Sequence, residues 1–226
     1  MATILCTFPK GGVGKTVLAV HITGVLLSQT KGRVLLIDSD PRPDAWRFYM
    51  GRKPTGGEYG FFKVDSRLDI VWKPPQHGKT SNRFQPIKKA ELDEYDYIVI
   101  DTDAPLEDAV SMISNNKPDL ILSPINSSQK DTALEDLPDF LATLTHLCGL
   151  DYSPMVRIVP LGVRENVVSK IINSCTIKPD NCKATFEMKN LETKMSQAKI
   201  KRKYIWEYAG CEHFLSYFTS LLEIDI

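Results

Sequence analysis

The chain has 226 residues, of which 42% are hydrophobic and 25% are charged, so it can bury a substantial core and is not disordered as a whole. Lysine plus arginine (28) balance aspartate plus glutamate (28), which excludes a global positive field drawing the molecule onto nucleic acid or an anionic membrane. Five cysteines without a C-x-x-C pair, no signal peptide and no apolar run near the roughly 20 residues that span a bilayer lead us to expect one cytoplasmic domain over residues 1–226 with reduced thiols.

The amino-terminal region predicts one complete βαβ unit. Residues 3–8 form an apolar, β-prone run that stops at Pro9 and the glycines after it. Residues 17–27 are nearly all apolar over a helical length, and residues 33–38 predict a buried strand that ends in Asp38. Strand, glycine-rich loop, helix and second strand thus follow one another.

The rest of the chain continues this alternation of strands and helices. We predict strands over 68–73, 97–101, 120–125 and 155–161, helices over 45–50, 105–114, 130–147, 165–174 and 212–223, and a strand or helix over 183–191. Residues 74–86 are polar and rich in turn formers, which predicts a surface loop. The alternation predicts an α/β fold, a parallel, doubly wound sheet with helices on both faces.

The loop between the first strand and the first helix carries the predicted chemistry. A glycine-rich turn at this place lets backbone N–H groups converge on phosphate oxygens at a helix N-terminus. Lys15 supplies a charge for the β- and γ-phosphates, and the hydroxyl of Thr16 is a ligand for Mg²⁺. The segment predicts a P-loop NTPase that binds ATP with Mg²⁺. The candidate nucleotide-binding residues are Lys10, Gly11, Gly12, Val13, Gly14, Lys15, Thr16 and Val17.

Position 9 separates this loop from the ordinary consensus, which requires glycine where the chain has Pro9. The sequence matches instead the deviant form K-G-G-x-G-K-[ST], and at these residues the chain resembles the ParA/MinD family of ATPases. In that family the lysine at the place of Lys10 reaches across an ATP-sandwiched dimer, as an arginine finger does elsewhere. The resemblance implies catalytic roles for Lys10 and Lys15, a homodimer that forms with ATP, and hydrolysis to ADP and phosphate that is weak unless a partner stimulates it.

Two acidic strand ends extend the resemblance. Residues 38–41 read D-S-D-P and match the family's D-x-D-P. The match places Asp38 near the hydrated Mg²⁺ and gives Asp40 the catalytic role of orienting the attacking water. Asp101, at the end of strand 97–101, takes the Walker B position and accepts hydrogen bonds from metal-bound water. The implied metal-site residues are Thr16, Asp38 and Asp101.

Two residues depart from the family pattern. Val17 stands where many relatives carry a second threonine that touches the α-phosphate, and a neutral hydrogen bond is worth about 1 kcal/mol, or roughly fivefold in affinity. Asp103 follows Asp101 where relatives carry proline. Its carboxylate either weakens phosphate affinity, contacts the metal shell or points outward.

Other motif-like segments carry less weight. Residues 116–119 spell the N-K-x-D motif of GTPases but precede a strand instead of following one, so guanine specificity is not expected. Residues 78–80 repeat G-K-T without a preceding strand. The histidines and cysteines lack metal-ligand spacing, so we expect neither zinc nor an iron–sulfur cluster.

A basic run near the C-terminus is the candidate partner surface. Residues 199–206 combine four cationic side chains with Tyr204 and Trp206, a composition suited to non-specific DNA contact. The alternative is a solvated face leading into a packed Trp206. ParA relatives hold DNA with basic residues toward the C-terminus, which favours DNA. The candidate DNA-binding residues are Lys199, Lys201, Arg202 and Lys203.

The last predicted helix has an apolar stripe that could suggest a membrane-binding tail of the MinD kind. Glu212, Glu223 and Asp225 flank it, and no lysine or arginine follows residue 203. Anionic lipid therefore offers no electrostatic gain, and we expect no membrane partner and docking of this helix onto the core.

The resemblance covers residues 1–126 by motif and the remainder by general topology. The small size and the absence of an N-terminal DNA-binding extension suggest the short plasmid-borne partition and stability branch, which includes StbB-like proteins. We therefore expect a ParA-like ATPase for plasmid partition, positioning or conjugation that works with a small DNA-binding adaptor protein in the cytoplasm or on the nucleoid. The alternatives are a MinD-like positioning ATPase, an ATP-gated adaptor with little hydrolysis, and a dethiobiotin-synthetase-like enzyme, which Lys10 disfavours.

Overall fold

The computed structural model describes residues 1–55, 58, 60–75, 89–102, 105–149, 151–189 and 192–222. Its strands are β1 (Ala2–Cys6), β2 (Val34–Asp38), β3 (Phe61–Lys63), β4 (Leu68–Trp72), β5 (Tyr97–Asp101), β6 (Leu120–Asn126), β7 (Met155–Leu161) and β8 (Cys182–Ala184). Its helices are α1 (Lys15–Gln29), α2 (Asp44–Met50), α3 (Lys89–Leu92), α4 (Leu106–Asn116), α5 (Lys130–Leu147), α6 (Glu165–Ser174), α7 (Glu192–Lys201) and α8 (His213–Ser220), with a 3-10 turn at Ile205–Glu207.

The strands form one sheet in the order β3-β4-β2-β5-β1-β6-β7-β8. All neighbours pair in parallel except β3, which runs antiparallel to β4. The predicted doubly wound sheet is thus confirmed, with one antiparallel edge strand. The exception has a simple cause, because the four residues 64–67 between β3 and β4 allow a hairpin but not the longer crossover that parallel pairing needs.

Helices cover both faces of the sheet because successive strand residues point to opposite sides. Val34 and Leu36 of β2 join the core that packs against α1, α2 and α8, whereas Leu35 and Ile37 join the core that packs against α4, α5 and α6. Every residue of β2 is buried. A strand covered on both faces reads as a continuous apolar run, which is why it was predictable.

Register places three strand ends side by side. Cys6 pairs with Asp101, and Asp38 pairs with Asp101 on the other side of β5. The loops that follow β1, β2 and β5 therefore leave the sheet at one edge. This edge carries the candidate site.

The carboxyl-terminal region corrects the weaker predictions. The segment predicted as strand or helix over 183–191 overlaps the end of the short strand β8, after which Met188 bridges to Leu161. Helix α7 was not predicted, and its residues are mostly exposed. The last helix is shorter than predicted, and it docks onto α1 through Phe214 and Phe218, as expected.

Three features of the sequence analysis lie outside the described residues. They are Asp103, the G-K-T segment at 78–80 and most of the predicted surface loop over 74–86. Within the described part of the chain, no helix has both the length and the apolar character needed to cross a bilayer.

Candidate functional site

The loop between β1 and α1 has a backbone that only glycine adopts without strain. Gly12 and Gly14 have φ values of 76° and 110°, in the left-handed region that favours glycine. A Cβ atom on Gly14 would lie 2.8 Å from Cδ1 of Leu161. The loop therefore turns sharply into α1, whose first N–H groups have no partners within the helix and face the loop. No acidic side chain occupies the first turn of α1, so the helix itself adds no charge that opposes an anion there.

Lys15 lies inside this loop. Its side chain is buried, and its Nζ donates a hydrogen bond to the carbonyl oxygen of Lys10 at 2.8 Å. Lys10 itself is half-buried, and its backbone N–H donates to the carbonyl of Phe8. The two lysines predicted from the sequence thus lie at the start and the end of one tight loop, with the Lys15 ammonium directed to its interior.

Asn126, the last residue of β6, holds the loop from the neighbouring strand and was missed by the sequence analysis. Its Nδ2 donates to the carbonyl of Gly12 at 2.5 Å, and its Oδ1 accepts hydrogen bonds from the Gln129 N–H and the Ser128 hydroxyl, both at 3.0 Å. The available signal was a polar residue at the carboxyl end of a strand that pairs with β1.

The two strand-end carboxylates are both fully buried. The Oδ1 and Oδ2 atoms of Asp38 accept hydrogen bonds from the backbone N–H groups of Asp40 (3.1 Å) and Trp46 (2.8 Å). Burial and the charge of Asp101 raise the pKa of Asp38 well above its usual range, although these two hydrogen bonds oppose the shift. Asp38 is therefore held in place by the backbone of the loop and helix that follow it.

Asp101 has a different environment. Neither of its oxygens has a hydrogen bond of ordinary geometry among the described residues. Burial raises its pKa to about 7, while the nearby Thr16 hydroxyl and the Lys15 ammonium act in the opposite direction. A fully buried carboxylate next to a second carboxylate is costly unless a cation or a water compensates its charge.

This donor set fits Mg²⁺. The described residues contain no group of three histidine, cysteine or acidic side chains that could chelate a metal by themselves. Mg²⁺ does not require such a group, because it keeps several waters and usually takes one or two protein carboxylates together with substrate phosphates. Thr16, Asp38 and Asp101 carry such oxygen atoms: Asp38 and Asp101 end neighbouring strands, and the Thr16 hydroxyl lies near Asp101.

Asp40 is less buried than Asp38. It is half-buried, its Oδ1 accepts the Arg42 N–H at 2.7 Å, and its carbonyl oxygen accepts the indole Nε1–H of Trp72 at 3.0 Å. Asp40 thus lies two residues beyond Asp38, the buried end of β2.

A cavity of about 200 Å³ opens beside the loop. Apolar and polar residues from several elements line it. The apolar ones are Val17, Leu161, Met188 and Met195, and the polar ones are Asn126, Ser127, Ser128, Lys189, Ser196 and Lys199. Apart from Val17 and Lys199, the sequence analysis did not identify them. Val13 is fully buried, so it contributes to the loop through its backbone.

The predicted DNA-binding residues do not form one uniform surface. Lys201, Arg202 and Lys203 are exposed. Lys199 instead lies at the cavity, with its Nζ 2.6 Å from Oδ2 of Asp44. Arg202 has a φ of 54°, and its guanidinium lies against Gly51 of the α2 end.

The two aromatics of the basic run are half-buried and pack against other aromatic rings. Tyr204 stacks on Trp206 at 4.8 Å between ring centroids, and Trp206 contacts His21 and Phe218. These rings are packed by protein on their inner side. The two rings are therefore packed, as in the alternative in which the basic run leads into a packed Trp206. Lys201, Arg202 and Lys203 remain the candidates for DNA contact.

The N-K-x-D segment lies away from the loop. Asp119 precedes β6, where its Oδ2 accepts the Thr3 N–H at 2.7 Å and its own N–H donates to the Thr3 carbonyl. Thr3 lies at the amino end of β1, whereas the glycine-rich loop follows the carboxyl end. Asp119 thus lies at the amino end of the strands, opposite to the end that carries the glycine-rich loop.

A family model and known structures resemble this chain. Residues 4–103 match the CobQ/CobB/MinD/ParA nucleotide binding domain, and the resemblance to ParA/MinD ATPases predicted from the loop is thereby confirmed. No curated protein sequence matches the chain.

Solved structures share the fold over nearly the whole chain. A ParA family ATPase from Chlorobium tepidum TLS has a TM-score of 0.72 at 16% identity, covering 99% of both chains. A variant of McdA from Cyanothece in complex with ATP has a TM-score of 0.71 at 18% identity, covering 99% of this chain and 95% of that one. A plasmid partition protein from Borrelia burgdorferi has a TM-score of 0.54 at 21% identity, covering 97% and 98%.

Proposed function

We propose that this chain, as a single domain, is a ParA-like ATPase that binds ATP with Mg²⁺, hydrolyses it slowly, dimerises with ATP and partitions or positions plasmid DNA. The observation that carries the proposal is the loop itself. Two left-handed glycines turn it into α1, Lys15 lies buried within it, and Asp38 and Asp101 lie buried beside it. The match of residues 4–103 to the ParA-type nucleotide-binding domain supports it.

The residues divide the chemistry among them. The N–H groups of the loop and of the first turn of α1 orient the phosphates, and the Lys15 ammonium leaves the Lys10 carbonyl to meet the β- and γ-phosphate oxygens. Thr16, Asp38 and Asp101 would hold a hydrated Mg²⁺, which would supply positive charge next to these phosphates. Asp40 accepts a hydrogen bond from the attacking water and orients it toward the terminal phosphate.

The cavity beside the loop is the proposed nucleoside site. Its apolar side chains, among them Leu161, Met188 and Met195, offer apolar contact for a base, and the serine hydroxyls that line it offer donors and acceptors. Val17 lies between this cavity and the loop. The nucleoside would thus extend from the phosphates toward α7.

Two groups of basic residues are the proposed partner contacts, one for a second copy of the chain and one for DNA. Lys10, half-buried at the start of the loop, would reach the phosphates bound by a second copy of this chain, as the family resemblance implies. Lys201, Arg202 and Lys203 would hold DNA without sequence preference. A small DNA-binding adaptor protein would stimulate hydrolysis, and the protein would act in the cytoplasm or on the nucleoid, within the StbB-like plasmid branch.

Removal of the Lys15 charge tests the nucleotide site. We expect Lys15→Ala to lower the affinity for Mg²⁺-ATP about tenfold to a hundredfold, because a hydrogen bond to a charged group contributes about 1.5–3 kcal/mol. Isothermal titration calorimetry measures it, and Lys170→Ala on the exposed face of α6 serves as the control. Equal affinities in both variants would remove the loop from the proposal.

In one alternative function the chain binds ATP at the same site but hardly hydrolyses it. Val17 presents only methyl groups to the cavity, so the protein could act as an ATP-gated adaptor that binds nucleotide and hardly hydrolyses it. Steady-state phosphate release with and without DNA separates the two. Release no faster than in an Asp40→Ala variant under all conditions favours the adaptor.

A further inference from the structure

Lys199 lies at the nucleotide cavity and not with the other basic residues. It is in the last turn of α7, and its side chain lines the cavity of about 200 Å³ together with Gly12, Gly14 and Val17. It also lines an adjoining smaller cavity with Thr16, Val17 and Asp44. Lys199 thus shares both spaces with the residues that follow the glycine-rich loop.

The residues of the loop segment that line the larger cavity, Gly12, Gly14 and Val17, have no side-chain donor. Lys15 is directed to the loop interior and the Thr16 hydroxyl lies near Asp101. Val17, the next residue, has no polar side-chain atom. A phosphate adjoining the nucleoside would therefore meet backbone N–H groups and methyl groups on the loop side of the cavity, and the described cations that line the cavity are Lys189 and Lys199.

Lys199 has a partner that it can exchange. Its Nζ lies 2.6 Å from Oδ2 of Asp44, but its side chain is 53% exposed and that of Asp44 is 27% exposed. An ion pair this open to solvent contributes little to stability. Hydrogen bonds between an ammonium and a phosphate are short and strong, and a nucleotide brings several negative charges into the adjoining cavity.

We propose that Lys199 is a nucleotide-binding residue that exchanges the carboxylate of Asp44 for the α-phosphate of the bound nucleotide and so supplies the donor that Val17 lacks. The inference rests on the proposed nucleotide site. It reassigns Lys199 from the DNA surface to the nucleotide. It also connects that site to α2, because Asp44 begins the helix that follows the D-S-D-P loop.

Two substitutions on the two sides of the ion pair should have opposite effects. Lys199→Gln should weaken ADP and AMP alike by about tenfold, the effect of one charge-assisted hydrogen bond, and should leave adenosine affinity unchanged. Asp44→Asn removes the competing carboxylate and should tighten ADP binding. In the Lys199→Gln background the Asp44→Asn effect should shrink, since the exchange needs both partners.

The experiment is calorimetric titration of the full chain with adenosine, AMP and ADP in Mg²⁺ buffer, with Lys170→Gln as charge-matched control and Lys199→Arg as the variant that restores the charge. Circular dichroism confirms that each variant is folded. Equal weakening of all three ligands would mean that Lys199 only supports the cavity wall, and it would overturn the inference. So would unchanged ADP affinity accompanied by loss of DNA binding. If the wild-type chain binds none of the three ligands, the proposed function fails first.

Discussion

Asp38 and Asp40 are separated by one residue but lie in different environments. Asp38 is fully buried, and each of its oxygens accepts a backbone N–H. Asp40 is half-buried and is fixed mainly through its carbonyl and one carboxylate oxygen. A carboxylate held by the backbone suits a fixed position at a metal, whereas one at the edge of solvent suits contact with a water.

This difference predicts that Asp40→Ala separates hydrolysis from binding. Loss of a residue that positions or deprotonates the nucleophile typically lowers the rate by about a hundredfold to ten-thousandfold. We expect phosphate release to fall by that amount while ATP affinity stays within about threefold, since the phosphate contacts remain. An ATP-bound dimer should accumulate in analytical ultracentrifugation. Asp139→Ala, on the exposed face of α5, is the control, and wild-type turnover in Asp40→Ala would assign the water to another group.

The site was predictable where chemistry follows local spacing. Lys15, Asp38 and Asp101 are identified by a loop or by a strand end, because a buried strand has a continuous apolar signature. Asn126 contacts Gly12 across 114 residues, and Lys199 contacts Asp44 across 155 residues. Such contacts depend on how helices and strands pack, so they cannot be predicted from a local sequence pattern.

At the scale of elements, His21 joins α1 to the carboxyl-terminal region. Its Nε2 accepts the N–H of Ile205 at 3.1 Å, so the ring proton is on Nδ1, which donates to the Val17 carbonyl at 2.7 Å. The ring stacks on Phe218 at 4.6 Å. A neutral, buried histidine thus connects the helix after the phosphate loop with the 3-10 turn and α8.

This connection predicts a loss of stability in mild acid. Burial lowers the pKa of His21 from 6.5 to about 4. Above about pH 6.5 the group is neutral in both states and has no proton-linked effect. Between pH 6.5 and 4 the unfolded chain binds a proton that the folded protein does not, so the histidine lowers the free energy of unfolding by up to about 3 kcal/mol.

Urea unfolding at pH 7.5, 5.5 and 4.5 measures this effect. The acid-induced change should be smaller in His21→Gln than in wild type, and His146→Gln, at an exposed position, should follow wild type. The difference between variants isolates His21 from Asp38 and Asp101, whose raised pKa values act in the opposite direction. Parallel curves for all three proteins would contradict the assignment.

The elements that the sequence analysis missed lack the apolar face or apolar run from which a helix or strand is predicted. Helices α5 and α6 and strands β5 and β7 have the predicted bounds, because each has a face or a run that must be buried. Helix α7 has one fully buried side chain, Ala198, and therefore no apolar stripe. Strand β3 has three residues, none of them buried. Such segments are held by their neighbours and not by their own hydrophobicity.

For the whole molecule, balanced charge makes local patches decisive. The net charge is zero, so contact with DNA depends on where cations cluster. Lys201, Arg202 and Lys203 are consecutive and exposed at the end of α7. Their helix also lines the nucleotide cavity, which places the two proposed surfaces on one element.

Replacing these three residues by glutamate should abolish salt-dependent DNA binding in the presence of Mg²⁺-ATP while ATP-dependent dimerisation persists. The slope of log K against log salt falls by about 0.9 for each lost phosphate contact on duplex DNA. Fluorescence anisotropy with duplexes of unrelated sequence measures it. The control is glutamate at Arg164, Lys170 and Lys183, which are exposed and dispersed. Binding that survives the first variant and not the second would move the DNA surface to the α6 side.

The contacts of the D-S-D-P loop have an optical consequence. The chain contains three tryptophans, and two of them touch this loop: the indole of Trp72 donates to the Asp40 carbonyl, and the backbone of Trp46 donates to Asp38. Indole emission responds to hydrogen bonding and to the polarity around the ring. A rearrangement of the loop would therefore change the native fluorescence, and the change should be lost in Trp72→Phe. The native fluorescence can therefore report on the conformation of this loop without a label.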